Sequence, residues 1–181
     1  AARDWAGQLA HLGRKSVPVV ALTTGFRVPA GVVELANRLL AALDVDVPPG
    51  RSLRRDGEVT VRQVRDLAAA TVDAVRAALA REGSVGVIAT EPAAGRLGAA
   101  LEAAGLAGPR VTVLPATLAK GLEYDHVIVA EPAAIVAAEP RGLHRLYVTL
   151  TRAVSRLDVL HTEPLPPQLA DPAAEPGTRR D

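Results

Sequence analysis

The chain has 181 residues, of which 49% are hydrophobic and 23% charged, with a formal net charge of +1. That composition can bury one sizeable core, and the near-zero charge excludes a generic polyanion binder. Zero cysteines exclude disulfides, thiolate catalysis and Cys-ligated metal, and the four histidines (His11, His126, His144, His161) show no paired spacing, so no metal site is expected.

Residues 1–16 read as a lead-in or linker. Val17–Leu22 is an apolar run of strand type, and Pro29 with Ala30 suits the first turn of a helix that continues through Asn37 to Leu43. Asp44 to Glu58, with prolines, glycines and charges, marks an irregular connection. Val59–Val64 alternates as an edge or half-buried strand does. From Asp66 to Arg81 the apolar residues recur at helical spacing, and Gly83 closes that helix. Val85–Ala89 reads as a buried strand, Pro92–Ala104 as a helix and Val111–Leu114 as the next strand. A strand through Val127–Val129 follows, then a helix starting near Leu143, then a strand at Leu157–Leu160. Alternating strands and helices predict an α/β domain with a parallel sheet. From Pro164 to Asp181 the composition turns to Pro, Ala and charge, and disorder is expected.

No run approaches the roughly 18 consecutive apolar residues of a membrane span, and no leader segment opens the chain, so a cytoplasmic location without membrane contact is expected. The absence of methionine points to a piece of a longer protein. Aromatic residues are too sparse for a row of base-stacking platforms, so any nucleic-acid contact should be to phosphates.

Two segments carry the chemistry. In the first, Thr117, Lys120, Gly121, Leu122, Glu123, Tyr124 and Asp125 stand between two β-branched runs. Glycine permits a sharp turn and close approach of a ligand to the backbone, Glu123 can accept hydrogen bonds from a ribose hydroxyl, and Thr117 can hold a strand phosphate. The plain alternative is a solvated polar turn. In the second, Leu146, Tyr147, Val148, Thr151, Arg152 and Ala153 place an arginine after a helical run and before a strand. Its planar fork fits phosphate oxygens. The plain alternative is a cation at a helix carboxyl end, worth about 0.3–1 kcal/mol. His126 is read as structural.

These segments resemble motifs V and VI of the UvrD-like superfamily 1 helicases, and Leu22–Pro29 with Glu34–Leu40 resembles motif IV, its arginine being Arg27. The Phe26–Pro29 and Arg141–Tyr147 variants are most similar to the actinobacterial HelD type, the RNA-polymerase-associated branch. Thr117 departs from the family's more usual histidine. The interval from Arg27 to Thr117 is too short for an inserted 2B domain.

The resemblance implies a RecA-like three-layer fold over residues 17–163, a mostly parallel sheet with helices on both faces, namely the second core domain, 2A, of an ATP-dependent DNA helicase or translocase. It implies Arg152 and Arg27 as catalytic arginines toward the terminal phosphate, and Glu123, Gly121 and Lys120 as nucleotide contacts. Thr117 and Lys120 would contact single-stranded DNA. No segment supplies the Gly-x-x-x-x-Gly-Lys-Ser/Thr phosphate loop. ATP with Mg2+ would therefore be shared with the N-terminal domain 1A of the same parent, which would hold the metal. The isolated fragment should be inactive. RNA polymerase is a further partner on this reading. The alternative is a non-motor binding module for RNA polymerase or nucleic acid with a vestigial nucleotide site. Arg27, Glu123 and Arg152 are expected on one edge of the sheet, with ligands beyond the carboxyl ends of the strands.

Overall fold

A computed structural model describes residues 24–25, 28–43, 51–52 and 57–170; the lead-in, the expected strand Val17–Leu22, Phe26 and Arg27, and residues 171–181 lie outside them. The elements are β1 (Thr24–Gly25), α1 (Ala30–Leu40), β2 (Arg51–Ser52), β3 (Glu58–Gln63), α2 (Leu67–Leu79), β4 (Val85–Ala89), α3 (Glu91–Ala103), β5 (Val111–Pro115), a 3-10 turn (Ala116–Leu118), β6 (Tyr124–Ala130), α4 (Pro132–Ala137), α5 (Gly142–Leu150) and β7 (Ala153–His161).

Five strands form one sheet in the order β3-β7-β6-β4-β5, and every pairing is parallel. The expected mostly parallel sheet is thus wholly parallel over these five strands. β1 and β2 pair separately. The period-2 alternation of β6 sorts its side chains: Val127 and Val129 join the cluster built with α1, α4 and α5, whereas Ile128 and Ala130 join the cluster built with α2 and α3. Two apolar clusters on opposite faces are what a parallel sheet requires, since each face must be covered by crossover helices. The result is a three-layer α/β domain.

Local chemistry explains the boundaries. Asp66 caps α2 by accepting from the Ala69 N–H at 3.0 Å. At the other end Arg110 donates to the carbonyls of Leu79 (3.3 Å), Gly83 (2.9 Å) and Arg81, satisfying groups that a helix terminus leaves open. α5 begins at Gly142, where an added Cβ would stand 1.8 Å from the Val136 carbonyl oxygen. Only glycine lets α5 approach α4 so closely.

Two expectations change, and one element is added to those expected. α4 was not legible, being a six-residue piece. β7 starts at Ala153, four residues before the apolar run that announced it. The expected disordered tail begins with structure: Leu165 and Leu169 pack on the α1/α4/α5 cluster, Leu169 being only 3% exposed. Two leucines among prolines suffice to hold residues 164–170, because each buries its side chain in a ready apolar face.

Candidate functional site

Arg152 lies between the end of α5 and the start of β7. Its guanidinium folds back: Nε donates to the Val148 carbonyl at 2.9 Å, Nη1 to the Leu122 carbonyl at 3.1 Å and Nη2 to Thr151 Oγ1 at 3.3 Å. The Arg152 carbonyl also accepts from the Tyr124 N–H at 3.0 Å. Arg152 is therefore tied to the 122–124 segment twice, by its side chain to Leu122 and by its carbonyl to Tyr124, and this follows from β6 and β7 being neighbours with Tyr124 opposite Ala153. The Val148 bond is the contact that a helix-end arginine makes, and the Leu122 bond adds a tie to the turn.

That turn is built on Gly121, at φ +81, with the Leu122 N–H bonded to the Ala119 carbonyl at 3.2 Å. A Cβ at Gly121 would meet nothing within 4 Å, so the glycine serves the left-handed backbone and the space before it is open. Lys120, Gly121, Leu122 and Glu123 are exposed, with Ala119 and Tyr124 buried beneath them. Leu118, 64% exposed, extends this surface with apolar area.

Glu123 and Arg152 each precede a strand, so they occupy the amino edge of the sheet; the expected placement beyond the carboxyl ends is corrected. Thr117 follows β5 and sits at the carboxyl edge. A parallel sheet forces this separation, since the connection Ala116–Glu123 must run from the carboxyl end of one strand to the amino end of another. Five residues at about 3.3 Å each put the two edges roughly 15 Å apart. Arg27 is outside the described residues. Pro29, two residues on, packs beside Gly57 close to the Ser155 carbonyl, at the amino edge of β3 and β7.

The carboxyl edge holds a crevice of about 260 Å³, whose lining includes Thr90, Glu91, Pro115, Thr117, Glu139 and Arg145. Its position has a topological cause. From β4 the chain leaves through α3 on one face, and from β6 through α4 and α5 on the other, so their loops diverge and leave a gap. Arg145 forks onto Glu139, with Nε at 2.7 Å from Oε1 and Nη2 at 3.4 Å from Oε2, and this bond holds the Glu139 carboxyl below the usual carboxylate range. The Thr90 side chain makes no capping bond at the start of α3, which leaves amide N–H groups at the crevice. Sequence reading missed Arg145 and Glu139 as a pair; the six-residue spacing is no helix period, since they belong to different elements.

On the α2 face, Asp158 accepts from Thr60 Oγ1 and from His126 Nε2, the latter at 2.8 Å, which links β3, β7 and β6 in one polar ladder. His126 Nδ1 is buried without a partner among the described residues. Burial works against ionisation of Asp158, yet the His126 and Thr60 hydrogen bonds outweigh it and hold the carboxyl below its ordinary value. His126 is a structural residue here.

No helix among the described residues is long and apolar enough to cross a membrane. No family model matches the chain, and no curated protein matches it. Among solved structures, the C-terminal domain of a possible DNA helicase from Lactobacillus plantarum WCFS1 is similar, at 24% identity and a TM-score of 0.59, covering 82% of this chain and 96% of that one. That likeness and the five-stranded parallel sheet with helices on both faces give the chain a RecA-like fold.

Proposed function

We propose that the chain is the second RecA-like domain of an ATP-driven DNA helicase or translocase of the UvrD/HelD-like kind. The observation that carries this reading is the meeting of the Gly121–Glu123 turn with Arg152 at one amino edge, through the 3.1 Å bond from Arg152 to the Leu122 carbonyl. A ribose could rest in the open space before Gly121 with Glu123 accepting from its hydroxyls and Lys120 alongside, while the Arg152 fork turns outward to a terminal phosphate. Arg27, two residues before Pro29 in sequence, would be the second arginine. ATP with Mg2+ supplies the phosphoryl group, and the metal would be held by domain 1A of the parent chain. The chain's own part is to orient ribose and phosphate and to place positive charge where negative charge develops.

The carboxyl-edge crevice suits the strand contact. Thr117 and the free amides at the start of α3 are hydrogen-bond donors to phosphate, and the helix dipole favours an anion there. Single-stranded DNA is the partner on this reading, and RNA polymerase a further one for the HelD branch. The chain's setting would be the cytoplasm.

One observation favours the alternative, a non-motor module for RNA polymerase or nucleic acid: all three nitrogens of the Arg152 guanidinium already donate to internal acceptors. ATP turnover by the full-length parent separates the two. Loss on replacing Arg152 by Ala, with poor rescue by Lys, supports the motor; unchanged turnover, or a parent that does not hydrolyse ATP at all, supports the module.

A further inference from the structure

β3 is the outermost strand of the sheet on its side, bonded among the described residues only to β7. Five of its six residues are exposed, and Val61, 38% exposed, is one of few large apolar side chains left in solvent. Natural edge strands are usually blunted by proline, a bulge or lone charges. β3 has no proline and keeps an unbroken register with β7 from Glu58 to Gln63.

The backbone direction can be read from one bond. Val64 N–H donates to the His161 carbonyl at 2.8 Å, so the even-numbered residues of β3 aim their N–H and C=O groups at β7. The N–H and C=O groups of Val59, Val61 and Gln63 consequently face outward, ready for another strand.

The side chains then select the partner. Glu58-Val59-Thr60-Val61-Arg62 is self-complementary when a second copy runs antiparallel about Thr60: Glu58 falls opposite Arg62 of the other copy, Val59 opposite its Val61, and Thr60 opposite its Thr60. In that register Val59 and Val61 exchange both N–H···O bonds, because theirs are the outward groups. Glu58–Arg62 and Thr60–Thr60 become the closer, non-hydrogen-bonded pairs, where side chains touch most. Both valines share the face opposite the ionic pairs, so one face of the junction is apolar and the other charged. Centring the pairing on Val61 instead would put Thr60 opposite Arg62 and Glu58 opposite Val64, which loses the charge match. Glu58, which in its own chain already pairs with Arg156 and, at 3.7 Å, with Arg81, would take Arg62 of the second copy as a further partner, so that charge would no longer protect the edge.

We infer that β3 is a self-association edge, through which two copies of this chain join their sheets about a two-fold axis at Thr60. The inference is independent of the motor reading.

The absence of cysteine makes the test direct. Residues directly opposite one another have Cβ atoms about 4.5–5.5 Å apart and diagonal neighbours stand about 7–8 Å apart. Oxidised Thr60→Cys should therefore form a disulfide-linked dimer, and Val61→Cys should not. Sedimentation of the unmodified chain should show a concentration-dependent dimer. Arg62→Glu, which sets like charges opposite one another at both ends of the pairing, should weaken that dimer roughly tenfold or more. The inference fails if the chain remains monomeric at every concentration, as it would if Val17–Leu22 of the same chain covered the edge. It also fails if Arg62→Glu leaves association unchanged, or if Val61→Cys cross-links in preference to Thr60→Cys.

Discussion

Replacing Asp158 by Ala removes the acceptor at the centre of the Thr60–Asp158–His126 ladder. The Asp158 side chain is 16% exposed and that of His126 12%, so solvent cannot readily replace the lost bonds. His126 Nδ1 already lacks a partner among the described residues, and the substitution would orphan Nε2 as well. Hydrogen bonds to a charged group are worth about 1.5–3 kcal/mol each and an orphaned buried donor costs about 1–3 kcal/mol, which overlap rather than add. We expect a loss of about 2–4 kcal/mol, or a fall in Tm of roughly 5–15 °C for a domain of this size. Thermal and urea unfolding of both proteins at neutral pH would measure it. The sign of the pH dependence follows from the lowered pKa of Asp158: its contribution is fully present above the unfolded-state pKa and is lost as pH falls through the lower folded-state value. The stability gap between wild type and Asp158→Ala should therefore narrow only under strongly acidic conditions. A loss below about 0.5 kcal/mol, typical of surface substitutions, would refute the buried-ladder argument, as would a gap that persists undiminished at low pH.

Gly142→Ala should destabilise by about 1–3 kcal/mol or more, since its Cβ would meet the Val136 carbonyl; chemical denaturation would show it. Leu169→Ala should cost about 2–4 kcal/mol in the same assay if residues 164–170 pack as described, and nothing if they do not. Purified alone, the chain should hydrolyse no ATP above a control lacking it, because the amino edge provides only one wall of a site; measurable turnover would contradict the shared-site reading.

The alternation of strands and helices was legible because β-branched runs such as Val85–Ala89 are short, apolar and bounded by punctuation. Asp66 and Gly83 marked both ends of α2 for the same local reason. Proximity of Glu123 to Arg152 was legible only through motif resemblance, since residues so far apart in sequence meet through the β6–β7 pairing. The direction of the sheet escaped: local reading cannot say that Thr117 leaves one edge while Glu123 arrives at the other. The Arg152–Leu122 bond, the Arg145–Glu139 fork and the Asp158–His126 bond escaped likewise, each joining separate elements. Leu165 and Leu169 were outvoted by the prolines and charges around them, although two buried leucines hold a segment whatever its average composition.

On the proposed motor reading, Arg152 serves a phosphoryl group and does not merely close a helix. Its most direct test is steady-state ATP hydrolysis by the full-length parent carrying Arg152→Ala, with thermal melting on the same preparation. Turnover should fall by about 10³ or more, an energetic loss of about 4 kcal/mol at the transition state, with little change in nucleotide affinity. Normal hydrolysis with stability lowered by no more than about 1 kcal/mol would leave Arg152 as a helix-end residue and contradict the arginine-finger role.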